Sequence, residues 1–181
     1  MRKPTPLVEI VSTGRFLPDR VVTNTDLERL VDTSDEWIRE RTGIRERRIA
    51  CGEMGAAEMG AEAARIAMER ADVKPGEVDL IVVSTATPDR LLPSTACDVQ
   101  ALLGASDASA FYIEAACSGF LYALNVAEGY LAAGRGEIAL VVSTEKMSAI
   151  VDWTDRATCV LFGDGAGAAV VKRSENGRGV V

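Results

Sequence analysis

"DASAFYIEAACSGFLYALNVAEGYLAAG", residues 107–134, changes its pattern once along its length, and that change decides the fold class. The stretch from about Ala108 to Ile113 carries aromatic and β-branched residues and is predicted to be a strand. Beyond Cys117, Phe120, Leu124, Ala127 and Leu131 recur at helical spacing, which predicts a helix packed against a core and ending near Gly134. A strand that runs straight into a helix is the unit of an α/β layer.

The neighbouring segments repeat that unit. "DLIVVST" (79–85) and "EIALVVST" (137–144) are near-continuous apolar runs, as expected for strands covered on both faces. A helix is predicted over about 56–71 from the spacing of Ala57, Ala61, Ala64, Met68 and Ala71. Another is predicted from about Ser94 to Leu103, stopped by Gly104. Val8–Thr13 reads as a first strand. "TNTDLERL" offers Thr25 and Glu28 at capping-box spacing, and "TSDEWIRERTG" has Thr33 or Ser34 as N-cap with Gly43 as its stop. "ATCVLF" and "AAVVKR" are expected to be two strands joined through the glycine-rich "GDGAG". The order is strand, helices, strand, helix, strand, helix, strand and a closing pair, which argues for α/β with right-handed crossovers.

The glycines invite a dinucleotide-binding reading, but the sequence argues against it. Gly163, Gly165 and Gly167 miss the G-x-G-x-x-G spacing, and the residues after them read as a strand, not as a helix that could hold a pyrophosphate.

At 181 residues the chain suits one domain with a sizeable core; it is 48% hydrophobic and 26% charged. A net charge of −7 favours neither nucleic acid nor an anionic membrane as a partner. No stretch reads as a signal peptide or a membrane span, so the expected location is cytoplasmic. Cys51, Cys97, Cys117 and Cys159 form no Cys-x-x-Cys pair, and the chain has no histidine, so no metal site is expected. Each cysteine is either a small buried residue or a reactive thiol.

Cys117 alone stands at a strand-to-helix junction, where α/β folds place their sites. A helix N-terminus there supplies partial positive charge and free N–H groups, which favour a thiolate and can receive an oxyanion. Ser118 and Gly119 are small and expected to leave room for a substrate. Position alone leaves a buried structural role equally open. Cys51, Cys97 and Cys159 are read as structural.

Four ordered stretches carry a resemblance: "TNTDLERLVDTSDEWIRERTGIRERRIA" (23–50), "LPSTAC" (92–97), "AACSGF" (115–120) and "TDRATCVLFGDGAGAAVV" (154–171). From about residue 8 onward the chain resembles the N-terminal half of β-ketoacyl-acyl carrier protein synthase III, a thiolase-like condensing enzyme. The resemblance implies a layered α/β fold of two similar halves. Residues 1–181 would form one of them, a mixed, mostly parallel five-stranded sheet with helices, with the C-terminal half absent from this chain. It implies a cytoplasmic, homodimeric acyltransferase that starts fatty-acid synthesis. Cys117 would take the acyl group of an acyl-coenzyme A primer. Malonyl-acyl carrier protein would then lose carbon dioxide and attack the thioester.

Trp37, Arg41 and Arg156 match positions at the adenosine end of coenzyme A, and Thr33 falls at a further contact position. Leu92 matches a residue, often aromatic, that reaches across the dimer to the partner's acyl pocket. Coenzyme A enters as substrate, and no other cofactor is implied. Without the resemblance "RERTGIRERR" (39–48) reads as a solvated, mixed-charge face; Arg45, Arg47 and Arg48 receive no role. The histidine and asparagine that serve decarboxylation in the family lie in its second half. Asn125 and Asn176 stand outside the matching motif, and the piece by itself is not expected to condense. Related condensing enzymes, which prime polyketides or make hydroxymethylglutaryl-coenzyme A, and a non-catalytic assembly half are the alternatives.

Overall fold

A computed structural model describes residues 8–175 and 179–180. Seven strands and five α-helices follow one another as β1 (Val8–Phe16), β2 (Arg20–Thr23), α1 (Asn24–Leu27), α2 (Asp35–Thr42), β3 (Glu46–Ile49), α3 (Ala56–Arg70), β4 (Leu80–Ser84), α4 (Thr95–Leu103), β5 (Ser109–Ile113), α5 (Gly119–Ala132), β6 (Ile138–Lys146) and β7 (Asp164–Arg173). Asn176 lies outside the described residues.

Five strands form one sheet in the order β1-β7-β6-β4-β5. β4 pairs parallel with both β5 and β6, whereas β7 runs antiparallel to β6 and to β1. The sheet is therefore mixed, with its parallel strands at the β5 side. Every residue of β4 is buried, which explains its unbroken apolar run. The strand's alternating side chains feed two cores. Ile81 and Val83 pack with α3 and α4 on one face, and Leu80 and Val82 pack with α5 on the other. Among the described residues no helix is long and apolar enough to cross a membrane.

β2 and β3 form a separate two-stranded hairpin, pairing Arg20 with Ile49 and Thr23 with Glu46. Together with α1, α2 and the turns of 152–161 it makes a cap with its own small core of Leu27, Ile38, Cys159 and Val160.

Four local expectations need correction. "ATCVLF" is not a strand. Asp155 accepts hydrogen bonds from Ala157 N at 2.9 Å and Thr158 Oγ1 at 2.6 Å, and Cys159 N donates to Asp155 O, which holds the segment in turns despite its β-branched residues. The glycine-rich run is consequently no turn between strands: Gly165 and Gly167 lie within β7, opposite Glu145 and Ser143. Helix α1 is capped by Thr23 and Asp26, not by Thr25 and Glu28, because the chain leaves β2 two residues earlier than the spacing suggests. Finally, β1 continues through Gly14 to Phe16.

Candidate active site

Cys117 follows the carboxyl end of β5, in a single 3-10 turn (Ala116–Ser118) ahead of α5. Ala116, the residue before it, has φ +43°, in the left-handed region that side chains with a Cβ avoid. Such a conformation costs about 1–3 kcal/mol and is held only where the surroundings determine it. Here it turns the chain sharply enough to leave Cys117 exposed while Gly119 is buried. Gly119 has an ordinary helical φ of −61°, so its reason is space: a Cβ built there overlaps Ser84 Oγ at the end of β4. It therefore seats α5 against the sheet and does not make room for a substrate, as its size alone suggested. The N-cap Ser118 makes no side-chain cap, and no acidic residue occupies the first turn of α5. Gly119 N donates to Ala116 O, and no side chain of that turn competes with an incoming anion for the N–H groups that follow.

A cavity opens beside the thiol, walled by Ala86, Ala116, Ser143, Glu145, Met147 and Phe162. Glu145 is the one carboxylate in that wall, and both its oxygens are engaged. It accepts from Ala86 N at 2.8 Å and from Thr87 Oγ1 at 2.6 Å, while Thr87 Oγ1 accepts from Lys146 N at 2.8 Å. Glu145 thus fastens the segment after β4 to the end of β6, which fixes one wall of the cavity.

The second group of residues is gathered on the cap. Ser34 caps α2 by accepting from Trp37 N at 3.1 Å, and Gly43 ends the helix in the left-handed conformation, φ +74°. Arg41, one turn after Trp37, places its Cζ 4.5 Å from the centre of the indole. Arg156, from the 152–161 turns, stands 4.4 Å from the same ring. Among the described residues, Arg156 Nε and Thr33 Oγ1 are buried without a hydrogen-bond partner. A tryptophan carrying two guanidiniums, one of them with an orphaned Nε, suits a ligand with a flat ring and anionic groups.

The structure thus brings Trp37, Arg41 and Arg156 together, with Thr33 just ahead of the helix cap. It does not bring Leu92 to the thiol cavity of its own chain. Leu91 and Leu92 are 79% and 85% exposed at the tip of the loop after β4. Of the remaining cysteines, Cys159 is buried as expected, and burial followed by the nearby Asp155 carboxylate pushes its thiol up. Cys51 is exposed, contrary to the buried role read for it, and Cys97 is half-buried. Sequence reasoning missed Arg47. It is 5% exposed, and burial pulls its guanidinium below the ordinary value.

The family model described as 3-oxoacyl-[acyl-carrier-protein (ACP)] synthase III matches residues 111–181. β-Ketoacyl-[acyl-carrier-protein] synthase III of Alkalilimnicola ehrlichii is 57% identical over 167 residues, covering 92% of this chain and 52% of the relative. By sequence the chain is similar to β-ketoacyl-acyl carrier protein synthase III proteins over nearly its whole length. It spans about half the length of the curated relatives it matches. Among solved structures, the synthase III from Aquifex aeolicus superimposes with a TM-score of 0.91 at 54% identity, over 93% of this chain and 55% of that one. The priming β-ketosynthase of the R1128 polyketide pathway also gives 0.91, at 41% identity, over 97% and 53%. The fold is accordingly thiolase-like, with the mixed, five-stranded sheet described above.

Proposed function

We propose that the chain is the nucleophile-bearing half of an acyltransferase that condenses an acyl-coenzyme A primer with malonyl-acyl carrier protein to start fatty-acid synthesis. The observation that carries this reading is an exposed thiol at a strand-to-helix elbow, beside a cavity and before a helix with no side-chain cap. Its sulfur attacks the thioester carbonyl, the leading N–H groups of α5 receive the negative charge on oxygen, and the coenzyme A thiolate departs. Malonyl-acyl carrier protein then loses carbon dioxide. Its carbanion attacks the new thioester, returning the Cys117 thiolate and releasing a β-ketoacyl product.

At the other end of the donor, the adenine stacks at Trp37, and the guanidiniums of Arg41 and Arg156 meet the base and phosphates. Thr33 Oγ1 and Arg156 Nε gain the partners they lack. Coenzyme A is substrate, and the reading needs no further cofactor or metal.

The second half of the fold is proposed to cover the outer face of α5, where Leu121 and Tyr122 are 61% and 55% exposed, and to supply the histidine that this chain lacks. Leu91 and Leu92 face a second copy in a homodimer, where Leu92 bounds the partner's acyl pocket. The protein is placed in the cytoplasm.

Acetyl-coenzyme A incubated with the protein should leave an acetyl adduct detectable by intact-mass spectrometry, and Cys117→Ala should abolish it. An adduct that survives the substitution refutes Cys117 as the nucleophile. Likeness to a polyketide-priming ketosynthase supports a second acceptor, and comparing carrier-protein acceptors with coenzyme A acceptors separates the condensing reactions.

A further inference from the structure

Arg47 is a buried cation whose hydrogen bonds all go to neutral oxygens. Its Nη1 donates to Val22 O at 3.2 Å, and its Nη2 donates to Asn24 Oδ1 at 2.9 Å and to Val160 O at 3.2 Å. Its Nε has no partner among the described residues. Burying a charge on these terms is costly, and an apolar side chain would commonly serve stability as well or better. The placement of the three acceptors supplies another reason for it.

Val22 belongs to β2, Asn24 opens α1, and Val160 lies in the turns that carry Arg156. Asn24, itself buried, passes the connection on. Its Nδ2 donates to Asp35 Oδ1 at 2.8 Å and to Ile44 O at 2.8 Å. Asp35 is the first residue of α2, two before Trp37. A continuous path therefore runs from the Arg156 segment through Val160, Arg47, Asn24 and Asp35 to the helix bearing Trp37 and Arg41. A planar fork can hold acceptors on separate segments at fixed angles, which an ammonium cannot do.

We infer that Arg47 is a positioning residue for the adenosine end of the acyl donor: it sets the spacing between the Trp37 ring and the Arg156 guanidinium without touching the ligand. The inference rests on the proposal that this pair receives coenzyme A. It concerns binding of the donor's far end, and not the chemistry at Cys117.

The test compares acylation of Cys117, in the protein at its full encoded length, by acetyl-coenzyme A and by acetyl N-acetylcysteamine, a thioester that lacks the adenosine end. The unmodified protein should show a far lower KM for acetyl-coenzyme A. Equal KM values there would refute the coenzyme site itself, before any substitution is considered. In Arg47→Lys, KM for acetyl-coenzyme A should rise by about tenfold, the equivalent of one charge-assisted hydrogen bond. Its maximal acylation rate, and the reaction with the truncated donor, should stay within about twofold, less than a hydrogen bond's worth.

Equal losses with both donors would make Arg47 merely structural and overturn the inference; no change with either would do the same. Asp35→Ala tests the other end of the path and keeps the question open to measurement if Arg47→Lys does not fold. Asp35 is 43% exposed at its side chain, so its removal leaves the core intact. A rise of about threefold in KM confined to acetyl-coenzyme A is expected, as for a weaker surface contact. An absent or donor-independent effect refutes the path.

Discussion

Gly119→Ala is the substitution for which two ordinary rules give opposite signs. A helical glycine replaced by alanine usually gains up to about 1 kcal/mol, because glycine loses more conformational freedom on folding. Gly119 already has a φ of −61°, so an alanine meets no backbone penalty. The added Cβ, however, overlaps Ser84 Oγ and comes within 3.0 Å of Ser84 Cβ, on a residue only 1% exposed at the end of β4. The hydroxyl can rotate away, but the Cβ cannot, and β4 is held by ladders on both sides. Overpacking of this kind costs about 1–3 kcal/mol, which outweighs the propensity gain. Net of that gain, a loss of up to about 2 kcal/mol is expected to lower the melting temperature by up to about 8 °C. Cys117 acylation should also slow, since the start of α5 is pushed off the sheet two residues from the thiol.

Ser84→Gly removes both clashing atoms at a cost of roughly 1 kcal/mol of its own. In that background Gly119→Ala should be close to neutral, giving a favourable coupling of about 1 kcal/mol or more by denaturant titration. Additive effects within about 0.5 kcal/mol would refute the contact as the reason for the glycine.

Two further outcomes follow from charge and burial. Hydrogen bonds from Thr23, Asn24 and Thr154 hold the carboxyls of Asp26, Asp35 and Asp152 below the ordinary carboxylate value. All three are on the cap. A carboxyl lowered on folding contributes stability above its unfolded value and loses that contribution as pH falls through the folded one. The melting temperature should therefore hold steady towards acid and fall below about pH 4. Asp35→Asn should flatten that fall in part, and an unchanged acid limb would refute its contribution. Under native alkylation followed by mass mapping, Cys51 and Cys117 should be modified first and Cys159 only after denaturation, since attack needs an accessible thiolate. Modification of Cys159 at the rate of Cys51 would contradict its burial.

What could be read in advance depended on how far the deciding contact lies along the chain. β4, β6, α3 and the elbow announce themselves locally, through unbroken apolar runs, helical spacing and terminal glycines. Trp37 and Arg41 are one helical turn apart, so their contact was open to inference from spacing. Arg156 comes from a distant segment and entered only by resemblance. The β2–β3 hairpin was missed because its strands are four residues each, rich in charge, and separated by two helices. One signal was available: in a strand, Arg47 and Ile49 share a face, and both are buried. Reading 39–48 as a single solvated face hid that alternation, because helical and extended parts of the run follow different periods.

Asp164 ties the cap to the wall of the thiol cavity. Only 5% exposed at the head of β7, its carboxylate accepts from Ala50 N at 2.7 Å, Ser148 N at 2.8 Å and Ser148 Oγ at 2.6 Å. Three donors can offset the burial of one negative charge where no cation pairs with it. Ala50 continues β3 from the cap hairpin, and Ser148 directly follows Met147 in the wall of the thiol cavity. β7 itself is antiparallel to β6, whose final residues include Glu145. One side chain therefore fixes the hairpin that buries Arg47 to the strand ends that shape the space beside Cys117. A thioester donor bound at both ends would span that junction, so the two ends must keep a constant separation. A rigid carboxylate bridge does this better than a flexible loop, because each of its bonds is short and removed from competing water.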